Sequence, residues 1–256
     1  MLLSNSKISQ IVCITGITLV LECLFFSNSF STEAKTAKNQ KNPYEGFPAN
    51  RRDGGSRGNC IANNKDFIAL VPERPVNLMT SVSSQLFFYV PQTEEPKIIE
   101  FVLRTKEDQL VHETFIQTTG QGGIMSVEIP DQVKENSEKF EENYHWYLSM
   151  ICDPSERSRD IVLEGWIKLV GLDKRVKEQM ELYSPIEQFN LLQQKDIWYD
   201  SISLLAEFNK LKPNVTTLNI EWQQILDSID LGELADEPFI EGKTVSNFYS
   251  IPLKEY

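Results

Sequence analysis

The sequence predicts an all-β sandwich of the immunoglobulin or fibronectin type, followed by a small C-terminal α-helical region with tetratricopeptide-like hairpins. Three observations predict it. Between Phe67 and Val170, apolar residues recur with period two in short runs separated by turn residues. No helical pattern of useful length interrupts those runs. After Gly171 the period changes to 3.6.

Residues 1–30 read as a signal peptide. Lys7 gives a short positive region, Ile8 to Phe26 is mainly apolar, and a polar Ser27-Asn28-Ser29 follows. The alternative is an uncleaved N-terminal anchor, against which Glu22 stands near the end of the stretch. Residues 31–59 are polar, basic and glycine-rich, the composition of a flexible linker. The sandwich is assigned to 60–170, with strands expected at Phe67–Val71, Leu86–Val90, Ile98–Arg104, Leu110–Ile116, Ile124–Ile129, Tyr144–Ile151 and Ile161–Val170. In the sixth, Tyr144, Trp146, Leu148 and Met150 share the inward face, and His145, Tyr147 and Ser149 the outward one. A tyrosine at such a strand start often bonds back to the backbone at a sheet corner in immunoglobulin-like sandwiches.

Residues 171–232 form the helical region. Ser184-Pro185-Ile186-Glu187 is a capping box with proline at the first helical position. Trp198, Ile202 and Leu205 stripe the next helix, which stops before Pro213; Leu218, Trp222, Ile225 and Ile229 repeat the spacing. The run from Leu191 to Asn214 carries the aromatic, small-residue and Leu-x-Pro-Asn features of a tetratricopeptide unit. Residues 233–256 are an acidic tail expected to fray.

Charge and cysteines bound the setting. The net charge of the chain is −12, with 32–59 at +3 and 60–256 at −15. A body this acidic repels phosphate backbones, so nucleic acid is excluded as a partner. Two of the four cysteines fall in the signal segment. Cys60 and Cys152 remain, an even count that predicts a disulfide and a periplasmic or secreted protein free of the membrane after cleavage.

Several motifs carry a family resemblance. They are Arg51-Arg52-Asp53-Gly54-Gly55-Ser56-Arg57-Gly58-Asn59-Cys60, Ala69-Leu70-Val71-Pro72, Phe87-Phe88-Tyr89-Val90-Pro91, Tyr144-His145-Trp146-Tyr147 and Ile151-Cys152-Asp153-Pro154. Arg157-Ser158-Arg159-Asp160, Glu164-Gly165-Trp166 and Ile197-Trp198-Tyr199-Asp200 complete them. On these the chain resembles the cyanobacterial family catalogued as domain of unknown function 928, over about residues 48–235. The resemblance implies an exported protein with no assigned activity, cofactor or catalytic residue. Lys195-Asp196 departs from the family pattern, which has a glycine-containing turn there, and Ser201 replaces the usual alanine.

The search for chemistry yields little. His112 and His145 are the two histidines, both at outward positions that could share one sheet face, and neither lies in a metal-binding spacing. Gly54-Gly55-Ser56-Arg57-Gly58 fits Gly-x-Ser-x-Gly but lacks the strand and helix a nucleophile elbow needs. Arg51, Arg52 and Arg57 are placed to pair with the acidic body. The charged loop Asp153–Asp160 lacks calcium-loop spacing. Trp166 alternates outward with Glu164, and with Tyr147 it forms an aromatic surface that either meets the helical tail or stays open to a partner.

The function expected is therefore a non-catalytic protein–protein interaction or scaffold module of the cell envelope, using no cofactor or metal and binding a protein partner. Two alternatives stand beside it: a carbohydrate-binding module using Trp166 and Tyr147, and an enzyme of unrecognised class centred on His112 or His145. A pocket bringing either histidine within reach of a carboxylate favours the last.

Overall fold

The structure is a computed structural model that describes residues 47, 49–52, 60–62, 65–80, 85–130, 133, 142–211 and 216–246. The expected signal peptide, most of the linker and the Gly54–Gly58 motif lie outside the described residues.

Among the described residues, nine strands form two sheets. The strands are β1 (Ile68–Ala69), β2 (Val76–Met79), β3 (Gln85–Val90), β4 (Ile98–Thr105), β5 (Leu110–Gln117), β6 (Gly123–Glu128), β7 (Asn143–Ile151), β8 (Ile161–Leu169) and β9 (Lys243–Val245). The smaller sheet has the order β1-β3-β6 and is antiparallel; the larger has the order β2-β8-β7-β4-β5-β9 and is mixed, because β2 runs parallel to β8. Among the described residues, four α-helices follow β8: α1 (Lys174–Leu182), α2 (Pro185–Gln194), α3 (Trp198–Leu211) and α4 (Thr216–Asp227).

The period-two pattern orients β7 as expected: Tyr144, Trp146, Leu148 and Met150 are all buried. β3 behaves differently, with Leu86 through Val90 all buried and no alternation. Its Phe88 ring meets Trp146 of the larger sheet edge-on at 5.8 Å. Phe87 points the other way, where Lys210 of α3 lies 5.9 Å from its ring centre. The smaller sheet is thus covered on both faces, and a strand buried on both faces reads as a continuous apolar run.

The helices share the sheets' core. Phe189, Trp198, Tyr199, Ile202, Leu205, Trp222 and Ile225 belong to the same buried cluster as Phe88 and Trp146. The first residues of α3 make the docking bonds. Trp198 Nε1 donates to Leu70 O at 2.9 Å, and Trp146 Nε1 donates to the Tyr199 hydroxyl at 3.1 Å. The Thr80 N–H donates to Asp200 at 2.8 Å, and its hydroxyl bonds the same carboxylate. Gln85 N–H donates to the Ser203 hydroxyl at 3.1 Å. The α2–α3 turn places Asp196 at φ 59°, the left-handed conformation in which glycine is usual and aspartate is better tolerated than most residues.

The Glu187 carboxylate accepts from the Ser184 N–H at 2.8 Å and from its hydroxyl at 2.6 Å, so the predicted cap closes α2. Cys60 and Cys152 are joined in a disulfide across 92 positions, tying the start of the sheet body to the end of β7.

Four expectations need correction. β2 escapes the pattern because it is four residues long and Asn77 interrupts its apolar side, yet Asn77 is buried. The acidic tail does not fray over its described part. Gly232–Leu234 makes a 3-10 turn, Phe239 bridges to Ile124, and β9 pairs with β5, because Leu231 and Leu234 are buried and Phe239 meets the Trp222 ring at 5.4 Å. The Tyr144 hydroxyl donates to the Glu142 carboxylate at 2.7 Å instead of to the backbone. Residues 49–52 of the expected flexible linker pair with both sheets, as described next.

Candidate functional site

The outer face of β7 and β8 carries a cluster of polar aromatics. Register pairs His145 with Trp166 and Tyr147 with Glu164, so all four share one face. The His145 ring stacks on Trp166, centroids 4.1 Å apart and planes 17° off parallel. The Tyr147 hydroxyl lies 2.8 Å from His145 Nδ1. His145 Nε2 is 3.0 Å from a Glu164 oxygen, but the approach is off the direction a hydrogen bond needs, and Nε2 has no hydrogen-bond partner among the described residues. Burial pushes the His145 imidazole down to about 4, with Asp108 pulling weakly upward. A neutral ring then accepts from the phenol at Nδ1 and carries its hydrogen on Nε2, facing Glu164. Burial raises Glu164 above the usual carboxylate range and raises Tyr147 as well.

A strap from the N-terminal side covers this cluster. Phe47 packs edge-on against Trp166 at 4.3 Å, and Lys106 from the β4–β5 turn lies 5.7 Å from the Phe47 ring. Asn50 exchanges two backbone hydrogen bonds with Glu164, at 2.9 and 3.0 Å. Arg51 O then accepts from Ala69 N–H at 2.7 Å, and Arg52 bridges to Ile68. Residues 49–52 therefore cross from the larger sheet to the smaller one.

The strap overturns part of the outward reading. Alternation does place His145 and Trp166 on the outer face, but they are only 6% and 7% exposed. Trp166 meets Phe47, and the aromatic surface predicted to stay open or meet the helical tail is under the strap instead. Tyr147 is half-buried. His112 does not join the cluster. Its register partner Leu103 pairs in turn with Trp146, so His112 lies on the opposite face from His145, near Phe101 at 6.4 Å. Burial lowers its pKa, with Glu113 opposing.

Beside the strap opens a cleft of about 420 Å³, bounded by Phe47 and 49–52, by Val71–Pro75 of the β1–β2 loop, and by Asn77, Trp146, Glu164 and Gly165. Three arginines stand at it. Arg51 is held by the fold: one nitrogen donates to Val71 O at 2.9 Å and to Ile229 O at 2.8 Å, while Nε and Nη2 meet Glu73 at 3.1 and 2.8 Å. Arg52 pairs with Asp66 at 3.2 Å and approaches Glu233 at 3.6 Å. Arg74 donates to the buried Asn77 side chain at 2.6 Å and pairs with Asp196. Its Nη2 is buried with no hydrogen-bond partner among the described residues.

Sequence reasoning placed Arg51 and Arg52 against the acidic body, and both do pair with acids there. It missed Arg74, Asn77, Phe47 and Glu164 as site residues, because their role depends on the strap, which composition alone marks as linker. Among the described residues, no group of three or more His, Cys, Asp or Glu could hold a metal ion, and no helix is long and apolar enough to cross a membrane.

A family model described as Domain of Unknown Function (DUF928) matches residues 52–239. A search of curated proteins finds no match.

Proposed function

The chain belongs to the family of unknown function 928, and from that premise we propose that it is an exported, non-catalytic interaction module that grips a protein partner in the cleft between the strap and the β1–β2 loop. The observation that carries the reading is the cleft itself. It gathers Arg51, Arg52 and Arg74 in a chain whose net charge is −12. Three guanidinium groups, each paired with an acid, converging on one cleft of an acidic body are a local recognition feature. The disulfide supports an oxidising compartment, periplasmic or extracellular, and a signal peptide over 1–30 supplies the route.

The fold reading that goes with it is an immunoglobulin-like sandwich. The sheets β1-β3-β6 and β2-β8-β7-β4-β5-β9 support it, with the five neighbouring strands from β8 to β9 antiparallel and β2 added parallel at the edge. The α2–α3 hairpin, with Ser201 fully buried at the small-residue position, supports the tetratricopeptide-like reading.

The test is affinity capture from envelope extracts with the mature protein and its Ala49→Trp variant, whose indole fills the cleft. The partner set should be retained by the first and lost by the second. Identical partners on both would overturn the reading.

A second reading has one observation behind it. The approach of His145 Nε2 to Glu164 at 3.0 Å is the juxtaposition an enzyme centred on His145 requires. A general base works best with a pKa near the working pH, however, and burial holds His145 near 4 under Phe47. The Tyr147–His145–Glu164 chain is better suited to supporting the strap than to moving a substrate proton. The carbohydrate reading loses its platform, since Trp166 lies beneath Phe47.

A further inference from the structure

The arginine–acid pairs at the cleft are asymmetric. The Arg51 side chain is 10% exposed, whereas its partner Glu73 is 74% exposed; Arg74 is 33% exposed, whereas its partner Asp196 is 65% exposed. The guanidinium groups are fixed by bonds that do not involve these acids. Arg51 is held by two backbone carbonyls from distant segments, Val71 and Ile229, and Arg74 by the buried Asn77 amide. The acids are held by little else, since Glu73 sits in the β1–β2 loop and Asp196 in the α2–α3 turn.

Exposed ion pairs stabilise a fold by little, because water competes for each charge. A fixed guanidinium is different, because its orientation is already set: Arg51 presents Nε and Nη2, which match a carboxylate in two bonds, and Arg74 presents Nη1. Removing the exposed acid therefore costs the fold little and frees a preorganised donor set. Deepening the proposed partner-binding reading, and resting on it, we infer that the cleft recognises a carboxylate-bearing peptide segment, whose acids replace Glu73 and Asp196 on Arg51 and Arg74. Glu73 and Asp196 act as internal competitors that keep the two guanidinium groups paired until the partner arrives. The protein's overall negative charge does not forbid this, because charges beyond about 8–10 Å are largely screened at physiological salt. It does select against long polyanions, which would lie along the acidic body.

The experiment is calorimetric titration of the full mature chain with a short Asp/Glu peptide. A matched Asn/Gln peptide and inorganic phosphate serve as comparison probes. Glu73→Gln with Asp196→Asn keeps the side-chain shapes, and asparagine tolerates the left-handed turn at 196. That variant should bind the acidic peptide roughly three- to tenfold more tightly than the parent. Arg74→Gln should weaken binding by at least about tenfold. A purely structural role for these pairs predicts weaker binding, or none, in both variants. Unchanged or weaker binding in the Glu73/Asp196 variant overturns the inference, and so does phosphate binding as tight as the peptide. If Arg74→Gln fails to fold, the Glu73/Asp196 variant alone decides. A partner lost on Ala49→Trp but indifferent to the Glu73/Asp196 change would leave the binding reading standing and remove the carboxylate one.

Discussion

The indole of Trp146 lies directly against Gly165, its register partner on β8, so closely that a Cβ at 165 would fall 2.6 Å from Trp146 Cζ2. The same indole donates to Tyr199 of the first turn of α3. Trp146 is thereby fixed between the larger sheet and the helices, and only glycine at 165 leaves it room. Gly165→Ala should push the ring off its position at a cost of about 1–3 kcal/mol, the usual range for overpacking. Denaturant titration followed by tryptophan fluorescence measures this. An unchanged midpoint would show that the ring shifts freely and that the contact does not constrain it.

Much of this arrangement is legible in the sequence. Period two locates seven of the nine strands and orients β7, and the capping box marks the start of α2. The continuous apolar run Leu86–Val90 also carries information that alternation does not. A strand buried on both faces needs a third layer, and the helices that follow supply it. What the sequence does not reveal is the strap. Phe47 and Asn50 sit in polar, proline- and glycine-containing surroundings, and nothing local says that Asn50 will pair with a residue 114 positions away. The outward Trp166 was legible as outward; its cover was not, because burial there comes from a long-range contact and not from periodicity.

The docked helices make a strong prediction about truncation. A chain ending at Val170 would uncover Phe87 and the parts of β2 and β3 that α3 packs against, and lose the bonds from Trp198, Tyr199, Asp200 and Ser203. It should be less soluble and melt at lower temperature than the same chain carried through its helices, since such uncovered apolar area promotes association. Equal solubility and melting temperature would mean that the helices are a separate module.

Asp200 offers a sharper single-site version. Its carboxylate is buried and accepts both the N–H and the hydroxyl of Thr80. Asp200→Ala leaves the Thr80 N–H without this acceptor and should cost about 2–3 kcal/mol. Asp200→Asn, which keeps one acceptor oxygen, should cost less. The two midpoints in urea test the order; equal losses would assign the effect to charge rather than to the hydrogen bonds.

The last prediction concerns pH. His145 has a folded pKa of about 4, below its ordinary value of roughly 6.5. The unfolded chain therefore binds a proton that the folded one refuses between those values. The stability linked to neutral His145 is complete above about pH 6.5 and is lost progressively as pH falls toward 4. The difference between those two values corresponds to about 3 kcal/mol of stability at most, with Asp108 the group that opposes the effect of burial. Glu164 itself works in the opposite direction. Burial raises its folded pKa, so its contribution is present below its ordinary value and is lost as pH rises through the raised one. His145→Gln should flatten the fall in stability between pH 6.5 and 4, and Glu164→Gln should steepen it by removing the counterweight. Urea midpoints at half-unit pH steps separate the two. A parent-like slope in His145→Gln would mean that this imidazole is not the group that titrates.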